Sequence, residues 1–305
     1  MSPLIPILVS TIVAATPLIY AALGELITER AGVLNLGVEG MMLVGALTAF
    51  AVGVTTGSLV LGYLAAVAAA MALALLFGFL TLTLQANQVA TGLALTLFGV
   101  GLSAFAGRPF AGLPIEGLKP VSLPGLTDLP VIGALFHFDL PVYGSIALYF
   151  AVDAFLKRTR AGLKLRAIGE SPAVAHSLGH PVIRIRYLAV LFGGAMSGLA
   201  GAYLSTALTP MWVEGMSAGR GWIALALVVF ATWKPLRVLL GAYLFGGVTV
   251  LQLYAQGFGL DIPSEFLSML PYAATIVVLV IICRDPKTIR LNQPASLGRS
   301  FHPDA

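Results

Sequence analysis

The stretch Lys157–Tyr187, KRTRAGLKLRAIGESPAVAHSLGHPVIRIRY, is the polar centre of a chain that is otherwise almost continuously apolar. It carries seven of the chain's 17 Lys and Arg (Lys157, Arg158, Arg160, Lys164, Arg166, Arg184, Arg186) against one acid, Glu170. A basic loop flanked on both sides by hydrophobic spans reads as cytoplasmic. Inside it a short helix has its own start and stop signals. Ser171 can serve as N-cap, Pro172 is tolerated at the first helical position, and Gly179 is placed for a left-handed C-cap. A small capped helix on the inner face of a membrane domain is a shape that another protein can grip.

The rest of the chain sets that loop in a membrane. Of 305 residues 58% are hydrophobic and only 10% charged, with 34 Gly and a mean hydropathy of +0.96. Soluble chains carry about a quarter charged residues, so an ordinary soluble domain is excluded. The fold class expected is all-α, a polytopic transmembrane bundle. A net charge of +4 would suggest nucleic acid in a soluble protein. Here the basic residues sit at span ends with no aromatics interleaved to grip phosphates, so no nucleic acid partner is expected. One cysteine, Cys283, and four scattered histidines give neither a disulfide framework nor a metal site, and no cofactor is expected.

A helix needs about 20 apolar residues to cross the hydrocarbon. Cutting at polar, Gly and Pro clusters predicts nine spans (8 to 10) at 4–26, 36–53, 58–83, 88–107, 141–156, 187–208, 221–233, 238–256 and 266–283. The second and seventh are short, which leaves room for a broken or re-entrant helix at either. With the opening stretch inside, fourteen basic residues fall inside and only Arg108, Lys119 and Arg220 outside. The N-terminus is therefore expected outside and the C-terminus in the cytoplasm. One transmembrane domain (1–285) holds the cytoplasmic loop 157–187 and an extracytoplasmic segment 108–140 rich in Pro and Gly. That segment can be a docking surface, a lid or a cap on the bundle. A polar tail, 286–305, is expected to fray. Trp212, Trp222 and Trp233 read as interfacial belt residues.

Two spans carry motifs. The second opens with ERAGVLNLGVEGMMLVGA, Glu29–Ala46, in which Asn35 and Glu39 are four apart and hence expected on one helix face. A carboxylate within a span is expensive unless it faces a cavity or a partner. The sixth, LAVLFGGAMSGLAGAYLSTAL, sets Gly193, Ser197, Gly201 and Ser205 on one ridge and Gly194, Gly198 and Ala202 on the next. Such ridges let backbones approach closely where lipid gives no hydrophobic drive, so Gly194, Ser197, Gly198 and Gly201 are expected in helix packing.

Together GVLNLGVEGMMLVGA, GLKLRAIGESPAVAHSLG and FGGAMSGLAGAYL resemble the permease subunits of bacterial ABC importers, in the family of branched-chain amino acid, simple-sugar and nucleoside permeases, and most closely the nucleoside permeases. The resemblance implies a non-enzymatic subunit in the bacterial plasma (inner) membrane that forms the path for nucleosides or a related small polar solute. Its partners would be a cytoplasmic ABC ATPase pair, a second permease chain that is a distinct homologue, an extracytoplasmic substrate-binding protein and membrane lipid. No GxxxxGK[ST] phosphate loop occurs in the chain, so ATP hydrolysis falls to a partner. The resemblance also assigns ATPase coupling to Gly169, Glu170, Ser171, Pro172, Ala173, Ala175, Ser177 and Gly179. It makes Asn35, Glu39, Asn87, Gln88 and Thr91 candidates for the substrate path, with Phe77 and Phe79 as an aromatic surface.

A competing class is a secondary transporter or channel driven by an ion gradient. That class calls for paired intramembrane acids and inverted repeats with interrupted helices, and Glu39 alone matches it poorly.

Overall fold

The computed structural model describes residues 4–122, 133–257, 292–302 and scattered positions between 266 and 280. Among these, ten α-helices follow one another: α1 (Leu4–Arg30), α2 (Val38–Thr56), α3 (Leu59–Gly78), α4 (Gln88–Gly107), α5 (Leu140–Arg158), α6 (Arg160–Glu170), α7 (Pro172–Ser177), α8 (Val182–Tyr203), α9 (Arg220–Phe230) and α10 (Pro235–Gly257). Helices α3 and α8 each run on through one wider π turn, Phe79–Thr83 and Leu204–Leu208. The described β structure is a two-residue antiparallel ladder, β1 (Val121–Ser122) with β2 (His137–Phe138), plus two isolated bridges. Helices dominate because hydrocarbon offers no partner to a backbone N–H or C=O, and a helix satisfies its own.

Seven described helices are long and apolar enough to span a bilayer. The expected nine are not reached among the described residues, for two reasons. The seventh expected span is α9, whose 11 residues extend only about 16 Å, half of a hydrocarbon core of about 30 Å. The ninth, 266–283, lies in a stretch described only at scattered positions.

Helix α8 is the hub, packed on α1, α2 and α3. Its small residues make this possible. A Cβ on Gly198 would lie 2.6 Å from the Ala66 carbonyl oxygen on α3, and one on Gly45 of α2 would lie 2.8 Å from the Gly198 Cα. A Cβ on Gly201 would land on the Met42 carbonyl oxygen. Gly194 meets Ala70 and Ala74 of α3, while buried Ser197 turns its hydroxyl to the Gly193 carbonyl at 2.9 Å. Ser205 donates to the Ala46 carbonyl at 2.7 Å, which joins the π turn to α2. At the far side α10 and α5 lean on α1, and α4 leans on α2.

The two ends of the bundle differ in construction. At one end segment 108–118 lies along residues 206–212, the end of the π turn and the chain that follows it: Leu118 N donates to the Thr206 carbonyl, Ile115 N to the Pro210 carbonyl, and bridges join Ala111 to Trp212 and Pro114 to Met211. Trp212 is thereby buried against Gly107 and does not face outward as a belt residue would. At the other end Arg30, Gln85, α6, α7, Trp233 and residues 292–302 gather. The expectation of a frayed tail fails over 292–302, because its backbone is bonded to the bundle. Ser296 N donates to the Gly169 carbonyl at 2.9 Å and Gly298 N to the Gly32 carbonyl at 3.2 Å.

Candidate functional site

The basic loop folds into two helices where one was expected. Thr159 caps α6 by accepting from Gly162 N at 3.0 Å. Gly162, Leu165, Ile168 and Gly169 then recur at helical spacing on its buried face. Ser171 accepts from Val174 N and caps α7, with Pro172 in its first turn. The helix closes as a Schellman motif: Gly179 N donates to the His176 carbonyl at 2.8 Å and His180 N to the Ala175 carbonyl at 3.0 Å. Gly179 sits at φ +80, the left-handed region a side chain resists. Only Ala175 of α7 is buried. Glu170, Ala173, Ser177 and Gly179 are exposed, Ser171 and Pro172 half-buried, and Gly169 is packed on the Arg30 carbonyl. Val174 and Leu178 stand 58% and 71% exposed. This is an apolar patch on an otherwise polar end of the molecule.

The tail holds this loop in place. Arg186, read as a loop residue, falls inside α8, which begins at Val182. It is 1% exposed, and its guanidinium donates to the Ala31 carbonyl, the Arg299 carbonyl and the Ser296 hydroxyl at 3.1–3.3 Å. Ser296 Oγ in turn donates to the Gly169 carbonyl at 2.7 Å. Gln85 donates to the Phe301 carbonyl, and the Phe301 ring meets His176 of α7 edge-on at 5.6 Å. Arg30 donates to the Asn292 carbonyl and, through Nε and Nη2, to the Trp233 carbonyl at 3.2 and 2.7 Å. Trp233, expected at the interface, is buried and donates its indole N–H to Glu29 at 2.5 Å. Thr232 and Trp233 both adopt positive φ, a strained turn between α9 and α10. Arg237 steadies it at the Thr232 hydroxyl, 2.7 Å away.

A second joint lies deep in the bundle. Residues 209–219 turn back after α8, with Gly215, Ala218 and Gly219 at positive φ, and α9 starts there. Glu39 caps that start. Its Oε1 accepts from Ser217 Oγ at 2.5 Å and Gly219 N at 2.9 Å, and its Oε2 from Gly221 N at 2.6 Å. Helix α9 covers about 16 Å between this joint and the Trp233 turn. Arg220, expected in an outer loop, stands at this joint and donates to the Met216 and Ser217 carbonyls.

Asn35 does not share a helix face with Glu39. Helix α2 starts only at Val38, and the Asn35 side chain accepts from Gly37 N at 2.9 Å, so it shapes the turn before the helix. The Asn35 N–H donates to Glu25, and Leu34 N donates to Gln88 Oε1 at 2.8 Å. Irregular residues 31–37 are thus held between α1 and α4. Asn87 caps α4 by accepting from Ala90 N and is exposed, while Thr91 is half-buried one turn on. Phe77 is buried and Phe79 is 48% exposed.

Residues 7–280 match the family described as branched-chain amino acid transport system / permease component. The chain belongs to this family. Among similar proteins, the putative glucose ABC transporter permease protein TsgC13 of Haloferax volcanii is 43% identical over 96% of both chains. The guanosine ABC transporter permease protein NupQ of Bacillus subtilis is 33% identical over 88% of this chain and 89% of its own. The nucleoside ABC transporter permease protein NupC of Lactococcus lactis is 33% identical over 90% and 91%. No solved structure matches.

In this permease the residues that sequence reasoning missed are Glu25, Glu29, Arg186 and Ser296, all buried. Glu25 and Glu29 are four apart on α1 next to Arg30, a spacing visible in GELITER but easily taken for a span end. The role of Ser296 has no local signal, since it exists only through contacts more than a hundred residues away.

Proposed function

We propose that this chain is one permease subunit of an ABC importer for a solute carrying a hydroxylated sugar ring, a free sugar or a nucleoside. A separate pair of cytoplasmic ATPases drives it, and a substrate-binding protein feeds it from outside. The relatives named for glucose, guanosine and nucleosides share that ring. The second permease chain is a distinct homologue, the membrane is the plasma membrane of a prokaryote, and the end bearing α7 faces the cytoplasm, in keeping with the basic loop.

The observation that carries the coupling role is α7 itself. It is capped at both ends, anchored by one buried alanine and by Phe301, and shows Val174 and Leu178 to solvent. A short rigid lever with an apolar tip transmits rigid-body motion, whereas a floppy connector absorbs it. Motion at α7 reaches the second joint through bonded elements: Gly169 and the tail, Arg30, the Trp233 turn, then α9 up to Glu39. Irregular backbone at membrane depth is tolerated where it is buried in protein or lines a cavity, and interrupted helices near mid-depth mark substrate paths in transporters. Asn87 and Thr91 are the polar groups of the path, and Asn35, Glu39 and Gln88 make its rigid wall.

The test replaces Ser171–Gly179 with a Gly/Ser stretch of equal length. The variant should insert normally, and ATP hydrolysis should no longer drive uptake in proteoliposomes reconstituted with both permeases, the ATPases and the binding protein. Full uptake by that variant overturns the assignment. Uptake without any ATPase that stops when ion gradients are collapsed overturns the importer reading itself.

A further inference from the structure

Between α1, α5, α6 and α8, at the end of the bundle that bears α7, lies a cavity of about 580 Å³. Ile27, Leu148, Phe155, Leu188 and Phe192 make it apolar, and Lys164 of α6 stands among its lining residues. An apolar cavity of this size does not hold water well, because water there finds no polar partners. Leu188, in its wall, is 61% exposed although it lies on a membrane span. An exposed leucine on a span suits contact with hydrocarbon, since lipid tails are as apolar as Leu.

Lys164 decides what head that hydrocarbon carries. Lys157, nearby, is taken by Asp153 at 2.6 Å, but among the described residues no carboxylate lies within ion-pair distance of Lys164. Arg158 and Arg160 are exposed on the same turn of chain. Basic pockets between spans on the cytoplasmic side recruit anionic lipid headgroups.

We propose that this cleft is a binding site for an anionic phospholipid of the inner leaflet, with one acyl chain in the cavity and the headgroup phosphate on Lys164. Because α6 forms one wall and leads directly into α7, the lipid braces the coupling loop. The choice of the inner leaflet rests on the orientation proposed above; the site does not depend on which solute is carried or on which ATPase binds.

The experiment is native mass spectrometry of the intact transporter released from nanodiscs of equal phosphatidylglycerol and phosphatidylcholine with matched acyl chains. Wild type should retain phosphatidylglycerol preferentially. Lys164→Gln should cut that preference roughly fivefold, the effect of one surface cation. Lys234→Gln, which removes an exposed cation elsewhere at the same end, should leave it intact. Ala151→Trp fills the cavity from an exposed position and should abolish retention of both lipids while elution and ATPase assembly stay normal. Equal retention of the two lipids, an equal effect of the two lysine variants, or cross-links showing a protein segment in the cleft would each overturn the proposal.

Discussion

Replacing Glu39 with Gln tests whether the carboxyl group is a structural anchor or a substrate ligand. Both oxygens are filled, Oε1 by Ser217 and Gly219 and Oε2 by Gly221. An amide keeps one acceptor, so in either orientation its NH2 group faces a backbone N–H. In the better orientation Gly221 N loses its acceptor and the other two bonds become neutral ones. A bond to a charged group contributes about 1.5–3 kcal/mol and a neutral one about 0.5–1.5; losing one of the first kind and weakening two others to the second gives a loss of about 3.5–6 kcal/mol. Against a total stability of about 5–15 kcal/mol that loosens the start of α9. The unfolding temperature in detergent, followed by size-exclusion of a fluorescent fusion, should fall without any substrate present. Uptake should drop in its maximal rate more than in its KM. Ser217→Ala should destabilise less, and the double variant should cost less than the sum, because both act on one network. An E39Q variant with unchanged unfolding temperature and a raised KM would refute the anchor argument and put the carboxyl group on the solute.

Other outcomes follow from the same contacts. Ser296→Val leaves Arg186 Nη2 without its hydroxyl partner, while the Gly169 carbonyl keeps the residue 296 N–H, a local cost of about 1–3 kcal/mol; limited proteolysis should then cut within 292–302, and the number of ATP hydrolysed per solute should rise. Gly201→Leu puts a side chain into the Met42 carbonyl, an overpacking of at least about 1–3 kcal/mol, and should prevent recovery of folded protein, whereas Gly101→Leu, which meets open space, should be recovered at wild-type yield. Asp139 caps α5, and its carboxyl is raised above the ordinary aspartate value of 3.8 by partial burial, with Val142 N and Tyr203 OH pulling the other way. The folded state therefore holds this proton more tightly, so stability from Asp139 is full below about pH 3.8 and is lost as pH rises through its folded value; Asp139→Asn keeps the cap and should flatten a melting-temperature titration across that window.

How far the sequence reaches depends on whether a signal is local. The caps of α7 were legible because Ser-Pro before a short run and Gly after it act within one turn of chain, and the structure adds the Schellman bonds those residues allow. The small-residue ridges of α8 were legible for a similar reason, since spacing alone puts Gly194, Gly198 and Ala202 on one face. Polar residues inside the bundle were not legible in this way. Asn35 and Glu39 look like one face until Asn35 bonds Gly37 and delays the helix to Val38. Trp212 and Trp233 look like interfacial anchors until a facing glycine or a buried carboxylate supplies a place inside. Arg186 looks like one more charge on a cytoplasmic loop, yet it is buried, and its role is fixed by carbonyls at Ala31 and Arg299. In each case the identity of the residue says that a partner is needed, because a polar group in hydrocarbon without one costs several kcal/mol. It does not say which partner. The partners here are mostly backbone groups of broken or non-helical segments: 31–37, 209–221, 231–233 and 292–302. Those segments in turn stay ordered because the polar side chains fill their free N–H and C=O groups. Interrupted backbone and buried polar side chain are therefore one feature read from two sides, which is why these joints fall where a transporter has to move.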